Sequence, residues 1–535
     1  MAETAPQIAP LADDLPPLAF ADLDGAKKWA KSLPLLPVAQ AYQAVIGQLR
    51  ALSMATLPPR ERATLAEVFR EPVFHLHTEL ARRFAGKPQP SADRELEAAE
   101  QAIAMWHALW EQYSMCLKPL LEGDSDLAGV KSKLLQRGLA VGKQLILVHG
   151  LARRLPPASL WQEIHAYYRL AEMMECAVQA VSDDLAPLAV GVSCYSTYSH
   201  ALLLALADPC SMTVRQIEIT DRWLSQWARK VFPYAEQRET EGLSLVVDLD
   251  SGAGASLVVV PPRTASASTR FCYPGKLATS VRGRLKRLAQ GASPAELALG
   301  HDLSVEQSIT LLSHLDAHWY QTRRRGPGTS QPVELCGGGV AGAYFRICGR
   351  TFDRKDPLGR LTYQGSQHLA TLGALTDYDR DRDEAERNLP WERWQGRYEW
   401  REAALSRIGT AYHHRWFLEQ LLTLRDDERT RLAFVTRVAL DASGGMSIEL
   451  KLWPGNPRTV AVRPQSSAFS EDPPLPSIEL CESPDEGASL IVPSRTFAPG
   501  RQLRSMDSGP ERRLKLTKLL QRGADFERCA FEETA

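Results

Sequence analysis

Paired cysteines, a net charge and a long uninterrupted apolar run are all missing from this chain, and each absence removes a class of protein. The nine cysteines, at positions 116, 176, 194, 210, 272, 336, 348, 481 and 529, include no C-x-x-C pair, and their odd number argues against a complete disulfide framework. They are expected to be reduced and mostly packed. The 63 Lys and Arg are offset by 64 Asp and Glu, leaving a formal charge of -1, so no global field draws the chain to DNA, RNA or an acidic membrane. A basic site has to be local. The apolar stretch from Leu185 to Ala207 is interrupted by Pro187, Ser193, Ser196, Ser199 and His200, and no membrane span is expected. Residues 1–20 set Glu3, Asp13 and Asp14 among prolines and alanines, with no basic start and apolar core. The expectation is a flexible N-terminus without a secretory signal, and a cytoplasmic protein.

Catalytic motifs are missing too. There is no H-E-x-x-H, G-x-S-x-G, Walker loop or dinucleotide fingerprint. His75 and His77 are two apart in a helical segment and so point away from each other, which argues against a metal grip. Around Trp161-Gln162-Glu163-Ile164-His165, the one-turn pairs His165/Arg169 and Tyr168/Glu172 read as a polar network between helices. Asp248 and Asp250 alternate at a strand end beside a glycine turn, which suits an Asx-type turn at least as well as a carboxylate pair. His413-His414-Arg415 reads as a surface cluster. The run Cys336-Gly337-Gly338-Gly339-Val340-Ala341-Gly342 lacks the Gly-Lys-Ser/Thr ending of a phosphate loop and reads as a tight β turn. No enzyme, metal or cofactor is expected. An enzyme with an unrecognised site in the helical half stays open as an alternative, since triads assemble from distant positions.

What is present is a soluble globular composition, 44% apolar and 24% charged, over 535 residues, too long for one hydrophobic core. Asp22 to Ser32, Pro37 to Leu52, Pro59 to Phe84, Asp93 to Leu121, Leu127 to Leu155 and Ser159 to Ser182 carry apolar residues at helical spacing. Ser211 to Glu236 adds a mainly helical segment with Trp223 and Trp227 on one face. Near Thr240 the pattern changes to Leu243–Leu249 and Ser256–Val260, a plausible hairpin, followed by a basic amphipathic helix, Leu277 to Leu288, and another helix, Ser304 to Tyr320. Beyond Gln331 short strands are expected at Val333–Cys336, Ala343–Ile347, Leu432–Val438, Met446–Leu452, Thr459–Val462 and Ala488–Val492, with Asp353–Trp394 a loop-rich insertion and Glu511–Gln521 a closing helix. The fold class is therefore multidomain α+β. A helical domain covers 21–238, a small α/β segment 239–322, and a β-barrel domain with insertions and a C-terminal helix 323–535.

Between the helical and the strand-rich parts lies Arg323-Arg324-Arg325-Gly326-Pro327-Gly328, where guanidinium forks beside glycines suit an anionic ligand, although short arginine runs are commonly solvated surface. With Trp29, Leu33-Pro34-Leu35, Pro58-Pro59-Arg60, Val246–Leu249, Leu311–Trp319 and the tail Ala488–Val492 before Phe497-Ala498-Pro499-Gly500-Arg501, the chain resembles a long proteobacterial family that carries a PilZ-like β-barrel behind a helical region. The resemblance implies recognition of cyclic di-GMP by an R-x-x-x-R arginine pair and a [D/N]-x-S-x-x-G turn. Arg323, Arg324 and Arg325 fall where the basic element belongs, but Pro327, Gly328 and Thr329 stand four positions on. Arg346 and Arg350 have the spacing but follow the first barrel strand. For the turn, Ala404–Gly409 keeps Ser406 and Gly409 with Ala in place of Asp/Asn, and is preferred over Asp441–Met446, which keeps Asp and Ser but not Gly. The imperfect motif points to a non-catalytic regulatory or scaffold protein that has lost cyclic di-GMP binding and works through a protein partner on its helical half. The alternatives are a cyclic di-GMP receptor with a rearranged site built on Arg323, Arg324, Arg325, Ser406 and Gly409, and a soluble multidomain protein only superficially like the family.

Overall fold

Apolar residues at three- and four-residue spacing become a succession of helices in the first half of the chain. The computed structural model describes residues 17–186, 191–238, 243–259, 266–321, 330–352, 384, 388–399, 401–409, 412–426, 429–465, 472–484, 486–506 and 511–534. The chain forms two units, Met1–Lys87 with Ser91–Arg324, and Pro88–Pro90 with Arg325–Ala535.

In the first unit the helices are α1 (Leu23–Ser32), α2 (Val38–Met54), α3 (Pro59–Phe84), α4 (Asp93–Ser114), the short α5 (Leu117–Leu121) and α6 (Ser125–Ala128), α7 (Lys131–Leu151), α8 (Ala158–Met173), α9 (Cys194–Leu206) and α10 (Val214–Trp227). Their starts carry local signals. Asp22 accepts from the Gly25 N–H at 2.7 Å ahead of α1, and Thr213 with Gln216 forms a reciprocal capping box at α10. Nearly every residue of α7 from Leu134 on is buried, so this helix is the axis of the unit. It approaches α8 closely: a Cβ on Gly138 would stand 1.9 Å from the Tyr167 ring, and one on Gly142 would stand 2.7 Å from Ile164.

A small antiparallel sheet follows, in the order β1-β4-β2-β3, from β1 (Pro233–Tyr234), β2 (Ser244–Asp248), β3 (Ser256–Val258) and β4 (Thr269–Cys272). With α11 (Gly275–Ala289) and α12 (Val305–Tyr320) it joins the helical core, where Leu245, Val247, Leu277, Val281, Leu311 and Leu315 belong to the same apolar cluster as the helices. Among the described residues no helix is long and apolar enough to cross a membrane.

The second unit holds two closed barrels. The first is ordered β10-β7-β6-β5-β8-β9, from β5 (Ser330–Cys336), β6 (Glu392–Tyr398), β7 (Glu402–Arg407), β8 (Leu421–Asp426), β9 (Arg429–Leu440) and β10 (Met446–Leu452), with α13 (Gly339–Cys348) following β5. The second is ordered β11-β12-β13-β16-β15-β14, from β11 (Pro457–Pro464), β12 (Leu475–Leu480), β13 (Ser489–Pro493), β14 (Gln502–Ser505), β15 (Arg513–Arg522) and β16 (Phe526–Thr534). Each has its own interior, Trp394, Leu405, Leu424, Val435 and Ile448 in one and Val460, Leu490, Leu503, Leu514 and Leu516 in the other. A further cluster joins them: Val340 and Ala343 of α13 pack with Leu421 and Leu432 of the first barrel and Ile478, Ile491 and Phe526 of the second.

The multidomain α+β architecture agrees with the sequence expectation, and some local elements differ from it. Ala343–Ile347, expected as a strand from its aromatic and β-branched residues, lies inside α13, because Val340, Ala343 and Tyr344 bury one helical face. Glu511–Gln521, expected as a helix from its charged and leucine-rich composition, is strand β15: Leu514 and Leu516 alternate into the barrel between Arg513, Lys515 and Thr517.

Candidate functional site

Strand alternation puts the inward residues of the first barrel into its core and leaves the opposite set on the outside. On β6 Arg393, Gln395 and Arg397 face outward, and register carries the last two across the sheet. Arg397 pairs with Ala404 of β7, Ala404 with Glu449 of β10, and Glu449 with Arg437 of β9. One step along, Gln395 pairs with Ser406 and Ser406 with Ser447. These residues and Ser330 line an open groove of about 540 Å³. Its lining includes the apolar Ile408, 48% exposed, and Arg407, whose guanidinium lies 3.5 Å from the centre of the ring of Tyr412, a neighbour outside the lining that is itself 42% exposed. The groove thus offers Arg397, Arg407 and Arg437 against the single Glu449 carboxylate, small hydroxyls, and the Tyr412 ring beside it, which suits a ligand with both phosphates and flat aromatic groups.

Of the residues singled out from sequence, Ser406 is exposed on the groove floor. Gly409 lies just past β7 at φ +89°, a conformation that favours glycine, with nothing within 4 Å of the missing side chain. Arg323, Arg324 and Arg325 lie outside the described residues; the chain is next described at Ser330, itself a groove residue. Arg346 is on α13, where it donates to the Leu389 carbonyl and stands 4.9 Å from the Trp391 ring. The rival turn at Asp441 closes the β9–β10 hairpin. Its Oδ1 accepts from the Ser443 hydroxyl at 2.6 Å and from the Ser443 and Gly445 N–H groups at 2.8 Å, bonds that hold the carboxyl below its ordinary range. Sequence reasoning missed Arg397 and Arg437, because only strand register brings them beside Ser406.

Other clusters have visible structural work. His75 is exposed beside Glu71, while His77 is buried against Trp106 and pushed down to about 4 by burial and by Lys143. His165 bonds the Tyr198 hydroxyl at 2.9 Å and the Ala253 carbonyl at 2.8 Å, and Glu172 holds Arg270 at 2.7 Å, so the dense α8 segment ties α9 and the small sheet together. Asp248 Oδ1 accepts from the Asp250 N–H at 3.0 Å, and Asp250 pairs with Arg169. The glycine run after β5, expected as a β turn, is a strand-to-helix junction with φ of +105° at Gly338 and +61° at Gly339. A Cβ on Gly339 would stand 3.2 Å from the Asp525 carboxylate, so an acid already faces the start of α13, where an anion would have to sit. His413 and His414 donate their N–H groups to Glu392 at 2.7 Å.

Buried charge also knits the helical unit. Asp183 meets Arg70 at 2.6 Å and Arg137 at 3.1 Å, and Glu67 meets Arg137 at 3.1 Å, Lys133 at 2.9 Å and the Tyr113 hydroxyl at 2.8 Å. Burial raises the Glu67 carboxyl, but Arg137, Arg70 and the bonds from Lys133 and Tyr113 outweigh it and leave the group below its ordinary value. Among the described residues, no cluster of three or more His, Cys, Asp or Glu is placed to hold a metal ion.

Comparison with known proteins gives two matches. Residues 24–234 match the N-terminal domain of a family described as the cyclic-di-GMP receptor FimW, and residues 460–534 match the FimW C-terminal β-barrel domain. The first stretch lies in the helical unit and the second is the second barrel; the groove-bearing barrel lies between them. No curated protein and no solved structure matches the chain.

Proposed function

We propose that this chain, similar at both ends to the FimW family, is a non-catalytic cyclic di-GMP receptor whose ligand lies in the outer groove of the first barrel. The observation that carries the reading is the paired match, in the right order, to the two domains of a family described as a receptor for this dinucleotide. It favours the receptor alternative over a barrel that has lost its ligand. The groove supplies suitable chemistry: Arg397 and Arg437 for phosphates, Ser406 and Ser447 for polar edges, and Arg407, stacked on the neighbouring Tyr412, for a guanine face. Arg323, Arg324 and Arg325 precede Ser330 closely in sequence and complete the proposed basic element. A protein partner on the helical unit would read the occupied state.

The test is calorimetric titration of the full chain with cyclic di-GMP at physiological salt. Saturable binding is expected in the parent. Ser406→Trp, which fills the groove from an exposed position, and Arg324→Ala with Arg325→Ala are each expected to weaken it by at least about tenfold. No heat from the parent protein at high concentration would end the receptor reading, and undiminished binding in both variants would move the site off this barrel.

A further inference from the structure

The basic helix α11 has no role in the barrel site, and its surroundings are unusual. Lys230, in the 3-10 turn that ends α10, donates to the Ser280 hydroxyl at 3.0 Å, and Arg284, one turn further along α11, donates to the same oxygen. Two cations therefore share one neutral acceptor. Arg229 adds to them beside Lys230, and Arg287 beside Arg284. Burial together with Arg284 and Arg229 depresses the Lys230 ammonium, and burial together with Arg287 depresses the Arg284 guanidinium. Among the described residues no carboxylate pairs with any of these four. Elsewhere in the unit Arg282 on the same helix meets Asp316 at 2.7 Å and the buried arginines 70, 137 and 270 have carboxylates, while the buried Arg62 and Arg153 each stand alone and bond carbonyl or amide oxygens; the α11 surface differs from these in gathering several cations at one place.

The Arg284 side chain is also held in place. Its Nε donates to the Leu297 carbonyl at 3.0 Å and its guanidinium stands 5.2 Å from the centre of the Trp227 ring. Such fixing lowers the ordering cost of binding an oxyanion. Next to the cations runs a ladder of half-buried rings. The Tyr195 hydroxyl bonds the Arg229 carbonyl, its ring lies 4.9 Å from Phe232, Phe232 lies 4.8 Å from Tyr234, and Tyr234 lies 5.9 Å from Tyr273, the residue just before the turn into α11. Arg238 covers one face of Tyr234 at 3.6 Å and adds a further cation beside the rings.

We propose that this surface of the helical unit, where the end of α10, β1 and α11 meet, is a second ligand site that binds a nucleotide. Its phosphate lies against Lys230, Ser280 and Arg284, and its base lies on the ring ladder. A phosphate supplies the missing counter-charge to cations that repel one another, and the rings supply stacking that a bare inorganic anion cannot use. A small nucleotide fits better than a nucleic acid, since the patch is local and the whole chain carries a formal charge of -1. The proposal stands apart from the barrel groove: it uses residues of the other unit and does not depend on the dinucleotide reading.

The experiment titrates the full chain with 5′-GMP, with inorganic phosphate and with guanosine, following heat and tryptophan emission, since Trp227 lies under Arg284. Saturable GMP binding is expected, with phosphate and guanosine each weaker by about tenfold or more. Lys230→Gln with Arg284→Gln, and separately the exposed Arg287→Gln, are expected to weaken GMP, the double variant by at least about tenfold. Ser406→Trp, in the barrel, is expected to leave GMP binding unchanged. Absence of saturation by GMP would overturn the site. Phosphate binding as tightly as GMP would overturn the role of the rings, and equal loss in Ser406→Trp would assign the nucleotide to the barrel.

Discussion

Single side chains in this protein are pulled by burial and by neighbouring charge, and Asp525 shows the consequence most plainly. Burial lifts its carboxyl to about 6, against the downward pull of the Leu421 N–H that it accepts at 2.8 Å. An unfolded aspartate titrates near 4. The native state is therefore favoured by this group below pH 4, and the contribution disappears as pH rises through 6. Asparagine keeps an acceptor oxygen for Leu421 and removes the charge. Asp525→Asn is expected to gain roughly 1–2 kcal/mol at pH 7, read by denaturant unfolding, and to flatten the stability profile between pH 4 and 6. Identical profiles for the two proteins would show that the carboxyl is not held as described. Asp183 has the opposite sign. Burial raises it, but Arg70 and Arg137 outweigh burial and lower its pKa, so Asp183→Asn leaves two buried arginines short of a counter-charge. A loss of about 3 kcal/mol is expected in the same assay.

At the scale of elements, α7 and α8 touch where α7 has no side chains. A methyl on Gly138 would overlap the Tyr167 ring, which is buried and bonds Ser114 at 2.9 Å, so the ring has little room to yield. Gly138→Ala removes a helix-weakening glycine, worth up to about 1 kcal/mol, yet the overlap is expected to dominate and lower stability by roughly 1–3 kcal/mol. A higher melting temperature would contradict the packing described. Much of this layer was readable in the sequence, because amphipathic spacing and proline breaks mark the helices, and β2, β9, β10 and β13 show up as β-favouring runs. What escaped were elements whose context outweighed their residues. Ala343–Ile347 has strand-forming residues, but a glycine junction and a buried one-sided face make it helical. β15 has helix-forming residues, but partners on both sides take it into a barrel. The groove was half legible: Ser406 and Gly409 stand out from their motif, whereas Arg397 and Arg437 join them through pairings between β6, β7, β10 and β9 that no local pattern encodes.

On the scale of the whole molecule, separate cores imply separate melting. The helical unit and small sheet share one apolar cluster, while the barrels have interiors of their own and a cluster in common. Scanning calorimetry is expected to resolve more than one transition, with Gly138→Ala moving one and Asp525→Asn another. A single transition shifted by both variants would show that the chain melts as one body.

The helix between the two barrels has a practical meaning for anyone who would trim this gene. Helix α13 leaves the first barrel, yet it covers Ile478, Ile491 and Phe526, which belong to the second. The family boundary at residue 460 is thus a boundary of sequence but not of solubility. Expressed alone, residues 460–534 would turn an oily flank toward water and collect in inclusion bodies, whereas a cut made ahead of β5 would keep the flank covered.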